Sequence, residues 1–552
     1  MTKKPKSDER RPLVADWQHL MRTFIRPEDE ASRMVLTKYM EQILFGLHDF
    51  LASHVGVTRE RTLKELAEVY SDSSISAAPE KKLDEIISEL IEEVAPHAVN
   101  VSSPYFVGHM TSAIPFFMVH LRTIVAALNQ NVVKLETSKI LSVIEKQVLA
   151  KIHRMVFQRE AKFYAWHVQH PETMLGAFAE NGTLANFTAL WVARNCLFAP
   201  SPGFAGIEAE GVHAAYRHKG VRRCVVLASR LGHYSLRKAA GLLGIGNEQL
   251  VTVEMDSGWR VDLGKLAETV RDLTRPGSET AVLAIVGIAG TTETGTVDPL
   301  EPMAEICAEH GIHFHVDAAW GGPTLLSGAY RGLLSGIEKA DSVTIDGHKQ
   351  FYMPMTSGMV FFRDPTVLDA VAYHAGYINR PGSVDLGIRS ISGSREATSL
   401  MLDCALRIMG AEGYALLIDH GIATARAFAE AIEQRKDFEL ITAPELNILT
   451  YRFCPRRLRQ RLESCRQEER RAINERLNRI NRDLQRRQRE AGKSFVSRTT
   501  LTGPATNNEQ VVVLRAVIMN PMTTVGVLEE ILDEQEQIFA AMNDAADPEN
   551  LP

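Results

Sequence analysis

The pentapeptide DGHKQ (346–350) sets Lys349 beside His348 directly after an apolar run, SVTID (342–346). An amine at the carboxyl edge of a buried sheet can attack a carbonyl carbon as a Schiff-base lysine. Upstream, HVDAAWGG (315–322) ends another apolar run on Asp317 and follows it with two alanines and two glycines. A carboxylate there costs free energy unless it meets a cation or a protonated partner, and the small residues after it leave room for a planar ligand. AENGTLAN (179–186) offers Gly182 and Thr183 at a helix N-terminus, where free amides and the helix dipole favour a phosphate. SRLGHYSLRKAA (229–240) sets His233 just after a strand, where its imidazole can stack on a flat ring. GTTETGTVDP (290–299) presents the hydroxyls of Thr292 and Thr294 on a glycine-flanked loop. Each signal alone has a plainer reading: a helix cap, a surface histidine, a turn, a surface lysine. Together they ask for one ligand with a phosphate, a flat ring, a ring nitrogen wanting a carboxylate and an aldehyde wanting an amine. Pyridoxal 5′-phosphate carries all four, and a lysine with an aspartate at the ring nitrogen is the protein kit it requires.

The elements that must position these residues are legible as alternation. Short apolar runs at 224–229, 250–255, 281–287, 312–317, 342–346 and 358–363 are separated by helical stretches. That pattern predicts crossover connections and an α/β fold with a mostly parallel central sheet. Ligands of such sheets sit outside the carboxyl ends of the strands, where these polar residues fall. LNILTYRF (446–453) and VVVLRAVIM (511–519) read as strands of a second, small sheet. Between them Arg456 to Glu490 holds 13 Arg against 5 Glu and 1 Asp, net +7. The segment could be a nucleic-acid arm, but Ile473, Leu477, Ile480 and Leu484 follow 4-3-4 spacing, which favours a helix with one apolar stripe and a solvated face. The stretches 34–51 and 80–94 read as helices whose stripes find little core of their own, so they are expected to pack on a neighbour or a second copy. The expected division is a helical dimerisation segment over 1–110, a large cofactor-binding domain over 111–402 and a small α+β domain over 403–552.

Composition closes off other classes. The 552 residues are 45% hydrophobic and 24% charged, enough for a large core, and 62 basic against 68 acidic side chains give 62 − 68 = −6. That balance argues against a general nucleic-acid binder. The longest apolar stretch, Ala281 to Ala289, is a buried strand too short to cross a bilayer. The opening MTKKPKSDERRPLV has no apolar core of a signal peptide. Six cysteines without CxxC or metal spacing read as reduced thiols, so a cytoplasmic protein with no metal and no membrane partner is expected.

The order GT-x-x-N, H-x-S-x-x-K-A, GTT-x-TG-x-x-DP, HVDAA-x-GG and HK resembles that of the group II pyridoxal-phosphate amino-acid decarboxylases, from about Ser103 to the C-terminus. SSPYFVGHM (102–110) and LNQNVVKLETSK (128–139) look most like glutamate decarboxylases. The length, with GSRE (393–396) and QRRQREAGKSFVSRT (485–499), looks like the bacterial aspartate 1-decarboxylases. The resemblance implies fold type I, the aspartate aminotransferase-like fold of pyridoxal-phosphate-dependent transferases, with a helical N-terminal arm and a homodimer sharing its sites. It implies Lys349 as the covalent anchor, Asp317 at the ring nitrogen, His233 and Ala319 on the two ring faces, and Gly182, Thr183 and the DGH segment at the phosphate. Thr294 would approach the ring, and His348 would lie by the phosphate. Lys349, His233 and Asp317 would be the catalytic residues. Arg395 would meet a substrate carboxylate, with His109 and Asn131 helping to receive substrate. The implied substrate is an acidic amino acid, aspartate before glutamate; an aminotransferase, another lyase or a noncatalytic scaffold are the alternatives. Two positions depart from the family. Gly347 replaces a proline, leaving the backbone before His348 less constrained; an ionised Asp346 near a phosphate is unfavourable, so Asp346 is expected to bond to backbone amides and is not counted as a ligand. YINRPGSVDLG (377–387) lacks a tyrosine at the tip where relatives carry the proton donor; Tyr377 aligns better with a structural tyrosine, and His233 is the fallback.

Overall fold

The computed structural model of the chain describes residues 17, 30–56, 62–375 and 383–542. The opening segment 1–14 and loop residues 377–382, with Tyr377, lie outside the described residues. Contacts divide the chain into two compact units: Met1–Phe106 with Arg486–Phe495, and Val107–Gln485 with Val496–Pro552. The first unit contains helices α1 (Glu30–Gly46) and α2 (Leu83–Glu89). Its buried hydrophobic side chains among the described residues are Val55, Ile87 and Phe106, while Phe45, Leu63 and Leu83 are exposed.

The second unit holds both sheets. The larger has seven strands: β1 (Gly176–Ala179), β2 (Arg223–Ser229), β3 (Leu250–Val253), β4 (Thr280–Ile288), β5 (His313–Asp317), β6 (Ser342–Asp346) and β7 (Gly358–Phe362). Their order is β1-β7-β6-β5-β4-β2-β3. The pairs among β3, β2, β4, β5 and β6 are parallel, whereas β7 runs antiparallel to both β6 and β1. All six expected strands are present. β1 was missed because GAFA is four small or apolar residues with no alternation to mark it. Parallel strands covered on both faces must be apolar throughout, and β2, β4, β5 and β6 are almost wholly buried.

The register brings the strand ends together. Ile288 at the end of β4 pairs with Asp317 at the end of β5, and Asp317 pairs with Thr344 of β6, two residues before Asp346. β1 leads through Asn181 into α3 (Gly182–Leu197), whose first residue therefore arrives at the same edge. The approach is close. A Cβ on Gly358 of β7 would lie 2.5 Å from the Asn181 carbonyl carbon, so glycine is required there.

The smaller sheet, β10-β11-β9-β8, is antiparallel: β8 (Phe438–Thr442), β9 (Ile448–Phe453), β10 (Ser497–Leu501) and β11 (Val511–Val517). The arginine-rich segment forms two helices, Arg456–Ser464 and α4 (Gln467–Ala491). Ile473, Leu477, Ile480 and Leu484 are buried, as the stripe requires. Beside that stripe runs a row of buried amides that the periodicity did not announce. Asn481 bonds the main chain of Phe453 through both side-chain polar atoms, and Asn478 bonds Val512 N and Gln510 O. Among the described residues no helix is long and apolar enough to cross a membrane, no group of acidic, histidine or cysteine side chains could hold a metal, and the cysteines are free.

Candidate active site

At the carboxyl edge of the parallel strands lies a cavity of about 430 Å³, lined by His109, Gly182, Thr183, His233, Asp317, Ala319, His348 and Lys349, and by Asn186, Thr292, Asp346 and Arg515. Eight of the residues singled out from the sequence thus meet in one place. Thr294, Asn131 and Arg395 do not line it.

Asp317 is held by two N–H donors. Its Oδ1 accepts from Ala319 N at 3.1 Å and its Oδ2 from Asn186 Nδ2 at 2.8 Å. Asn186 lies one helical turn after Gly182 on α3, and its Oδ1 meets His315 Nε2 at 3.0 Å. His315 is fully buried and its pKa is pushed down to about 4 by that burial, so the ring is neutral. Its Nδ1 meets Ser342 Oγ at 2.9 Å. A neutral histidine donating from Nε2 turns the Asn186 amide so that its N–H faces the carboxylate. The row fixes the orientation of the Asp317 carboxyl at the cavity wall. Asn186 and His315 were not singled out from the sequence. A histidine inside the apolar run IHFHVD was the available signal, since a buried imidazole needs partners at both nitrogens.

Lys349 Nζ lies 3.1 Å from Asp346 Oδ2. His348 Nδ1 is 2.6 Å from the Ser357 carbonyl oxygen, which can only accept, so this nitrogen donates. The backbone between them is held, contrary to the freedom expected of Gly347. Gly347 N donates to Ser357 O at 2.9 Å, a bond proline could not make, and a Cβ would stand 2.6 Å from Ser357 Oγ. The glycine serves tight packing here rather than flexibility.

The N-terminus of α3 faces the same cavity. Asn181 caps it by accepting from Leu184 N at 3.1 Å, and Ala185 N reaches Asn181 O. The amides of Gly182 and Thr183 are left without an intrahelical acceptor, as in the first turn of any helix. His233 caps the helix Tyr234–Leu242, its Nδ1 accepting from Ser235 N at 3.3 Å. Burial holds the His233 pKa below the ordinary histidine value, although Asp317 pulls it upward. His109 is lowered as well, by burial first and then by Arg515 and Lys349.

Three of the expected residues lie outside the cavity lining. Thr294 is fully buried, and its hydroxyl is tied to Thr291 Oγ1 at 2.5 Å and Thr296 Oγ1 at 2.8 Å. It braces the loop, while Thr292 lines the cavity. Arg395 forms a bidentate pair with Glu145, Nη1 to Oε2 at 2.8 Å and Nη2 to Oε1, and the two side chains are 6% and 1% exposed. A guanidinium already matched by a carboxylate on both prongs has little left for a substrate. Asn131 belongs to the same knot, its Oδ1 accepting from Arg395 N at 3.1 Å.

Arg515 is the cation the sequence reading missed. It sits in β11 of the small sheet, is 9% exposed and lines the cavity. Nη1 donates to Thr292 O at 2.8 Å and Nη2 to Gly108 O at 3.0 Å, while Nε has no partner. The acid that acts on it is Glu293, whose own carboxyl is pushed up by burial. An arginine inside the otherwise apolar run VVVLRAVIM was the signal, by the same cost argument that picked out Asp317.

This donor set fits the group inferred from the sequence: an amine, a hydrogen-bonded carboxyl, free helix amides, and a cavity whose wall includes His233 and Ala319. Comparison with known proteins agrees. The pyridoxal-dependent decarboxylase conserved domain matches residues 66–454. The chain is 43% identical to the aspartate 1-decarboxylase of Aliivibrio fischeri over 96% of this chain and 95% of that one. It is 26% identical to the L-2,4-diaminobutyrate decarboxylase of Acinetobacter baumannii over 69% and 74% of the two chains. The crystal structure of mouse CSAD superposes with a TM-score of 0.78 at 23% identity, covering 92% of this chain and all of that one, a likeness of fold. The chain therefore belongs to the pyridoxal-dependent decarboxylases, and it is an amino-acid decarboxylase that works with pyridoxal phosphate.

Proposed function

We propose that the chain removes the α-carboxyl group of L-aspartate, releasing CO2 and β-alanine. The observation that carries this reading is Arg515, a buried cation at the cavity whose hydrogen bonds among the described residues go to main-chain carbonyls, with Nε unpartnered there. An acidic side chain needs such a group at its far end. The carboxyl that departs as CO2 loses its charge on the way, so a cation gripping it would oppose the reaction. A cation gripping the side-chain carboxylate stays satisfied throughout. Arg515 is therefore assigned the side-chain carboxylate, with His109 beside it. Similarity to the Aliivibrio fischeri aspartate 1-decarboxylase supports aspartate over the longer glutamate.

Lys349 is the amine that holds the cofactor's aldehyde carbon, and the amides of Gly182 and Thr183 hold its phosphate. Bound pyridoxal phosphate supplies an electron sink for the pair left at Cα when CO2 departs. Asp317, oriented by the N–H donors of Asn186 and Ala319, would pair with the ring nitrogen and favour its protonated form. His233 and Ala319, both in the cavity wall, would pack on the faces of the ring, and His348 steadies the loop that carries Lys349. His233 is also assigned the proton delivered to Cα, from its place in the same cavity wall as Lys349. Val119, Ile124 and Leu128 of the helix Phe117–Leu128, with Ile408 and Leu416 of the helix Thr398–Gln434, are exposed. Such apolar surface supports a homodimer; sedimentation of an active monomer would refute that part.

The test is product identity. Purified protein loaded with pyridoxal phosphate is supplied in turn with L-aspartate, L-glutamate and L-2,4-diaminobutyrate, and CO2 and amine are measured. Equimolar CO2 and β-alanine from aspartate, at the highest kcat/KM of the three, is the expected result. Preference for either of the others refutes the substrate assignment, and amino-group transfer without CO2 refutes the reaction.

A further inference from the structure

Asp346 is a carboxylate in the wrong place for an anion-binding site. It ends β6, is 2% exposed, and lies against the first residue of α3. A Cβ on Gly182 would stand 2.8 Å from its Oδ2 and 3.1 Å from its Oδ1. Oδ2 is 3.1 Å from Lys349 Nζ and 3.8 Å from His348 Nε2, but Oδ1 is buried with no hydrogen-bond partner. An ionised oxygen left bare at that depth costs free energy, and the free amides of Gly182 and Thr183 make the same spot the seat for a phosphate. A phosphate dianion and a carboxylate at van der Waals range repel, and like charges sharing a site push one group to take a proton. A protonated carboxyl becomes a donor, which a phosphate oxygen can accept.

We propose that Asp346 binds the cofactor's phosphate as a neutral carboxylic acid, taking up one proton from solvent on Oδ1 as the phosphate seats. The inference rests on the placement of the phosphate at Gly182 and Thr183. The other charged or titratable groups facing this cavity are Lys349 and His348 on the same loop, His233 and Tyr234 after β2, Asp317 at the end of β5, His109, and Arg515 of β11. Asp346→Asn replaces the acid with a permanent donor; it also acts on Lys349 and His348, the two groups paired with Asp346, and that effect is read separately with a ligand that lacks the phosphate. Above pH 7 the phosphate is already a dianion, so its own titration drops out.

The measurement is equilibrium binding to cofactor-free protein at pH 7 and pH 9, followed by fluorescence and by calorimetry in two buffers of different ionisation enthalpy. Pyridoxal phosphate is compared with pyridoxal, which lacks the phosphate and reports any change at Lys349 alone. For the native protein the Kd of pyridoxal phosphate should rise by about tenfold per pH unit more than for Asp346→Asn. About one extra proton should be taken up, and pyridoxal should show no such difference. Asp346→Ser, smaller and neutral, should repeat the loss of proton uptake if the asparagine disturbs folding. Equal pH dependence and equal proton uptake in native and variant proteins overturn the inference alone. Native binding of pyridoxal phosphate no tighter than pyridoxal overturns the phosphate seat, and this inference with it.

Discussion

Arg395 and Arg515 are buried to the same degree as whole residues, and both lie in the unit that holds the cavity. Arg395 spends its guanidinium on Glu145, carboxylate against fork. Arg515 spends two N–H groups on main-chain carbonyls and keeps a charge that no carboxylate among the described residues approaches within ion-pair distance. Burial is the same and the chemistry opposite. A charge matched inside the fold is architecture; one left partly unmatched at a cavity is available to a ligand.

That contrast can be broken by substitution. The largest effect is expected at the matched pair. Arg395→Ala leaves Glu145 buried and uncompensated and should lower stability by about 3–5 kcal/mol in urea denaturation. Glu145→Leu combined with Arg395→Met should recover much of that loss with KM for aspartate little changed, and a rise in KM beyond tenfold in the folded double variant would make Arg395 a substrate residue after all.

Next comes acid sensitivity. His153 is fully buried between Tyr164 Oη and Phe362 O, and burial pushes its pKa down to about 4, as for His315. The unfolded chain takes these protons near pH 6.5 and the folded chain refuses them until about 4, so stability is full above 6.5 and is lost as pH falls through that window. Each histidine should contribute up to about 3 kcal/mol of the loss. His153→Gln should flatten the urea midpoint between pH 7 and pH 5, and an unchanged slope contradicts the assignment.

Arg515→Ala should lower kcat/KM for aspartate by about 10²-fold, near 3 kcal/mol, with the thermal midpoint much less affected than in Arg395→Ala. Equal losses of stability in the two variants would erase the distinction. The smallest effect is expected at Thr294→Ala. It removes one buried hydroxyl from a loop brace and should cost about 1 kcal/mol of stability without altering cofactor affinity.

The site was legible where strand ends carry polar residues out of place. Asp317, Lys349 and His233 each follow an apolar run, and the parallel sheet gathers run ends at one edge by topology alone. Gly182 and Thr183 followed from helix-terminus chemistry. Arg515 was illegible as a site residue because it arrives from another sheet, across a separation no local pattern encodes. Arg395 misled for the mirrored reason. Its partner Glu145 sits on the helix Ile140–Phe157 between buried Leu141 and Leu149, at the spacing of the buried face. A glutamate in that row had to be paired, and an arginine elsewhere had to pair with it. In the fold, β8 and β10 escaped notice as short strands of the small sheet, and β10 alternates polar exposure with little apolar content.

The central claim is that Lys349 carries pyridoxal phosphate against Asp317. Borohydride reduction of the cofactor-loaded protein, followed by peptide mass spectrometry, tests it directly. The account predicts a pyridoxyl adduct on Lys349, lost in Lys349→Ala. An adduct on another lysine of the native protein, or none with cofactor bound, would contradict it.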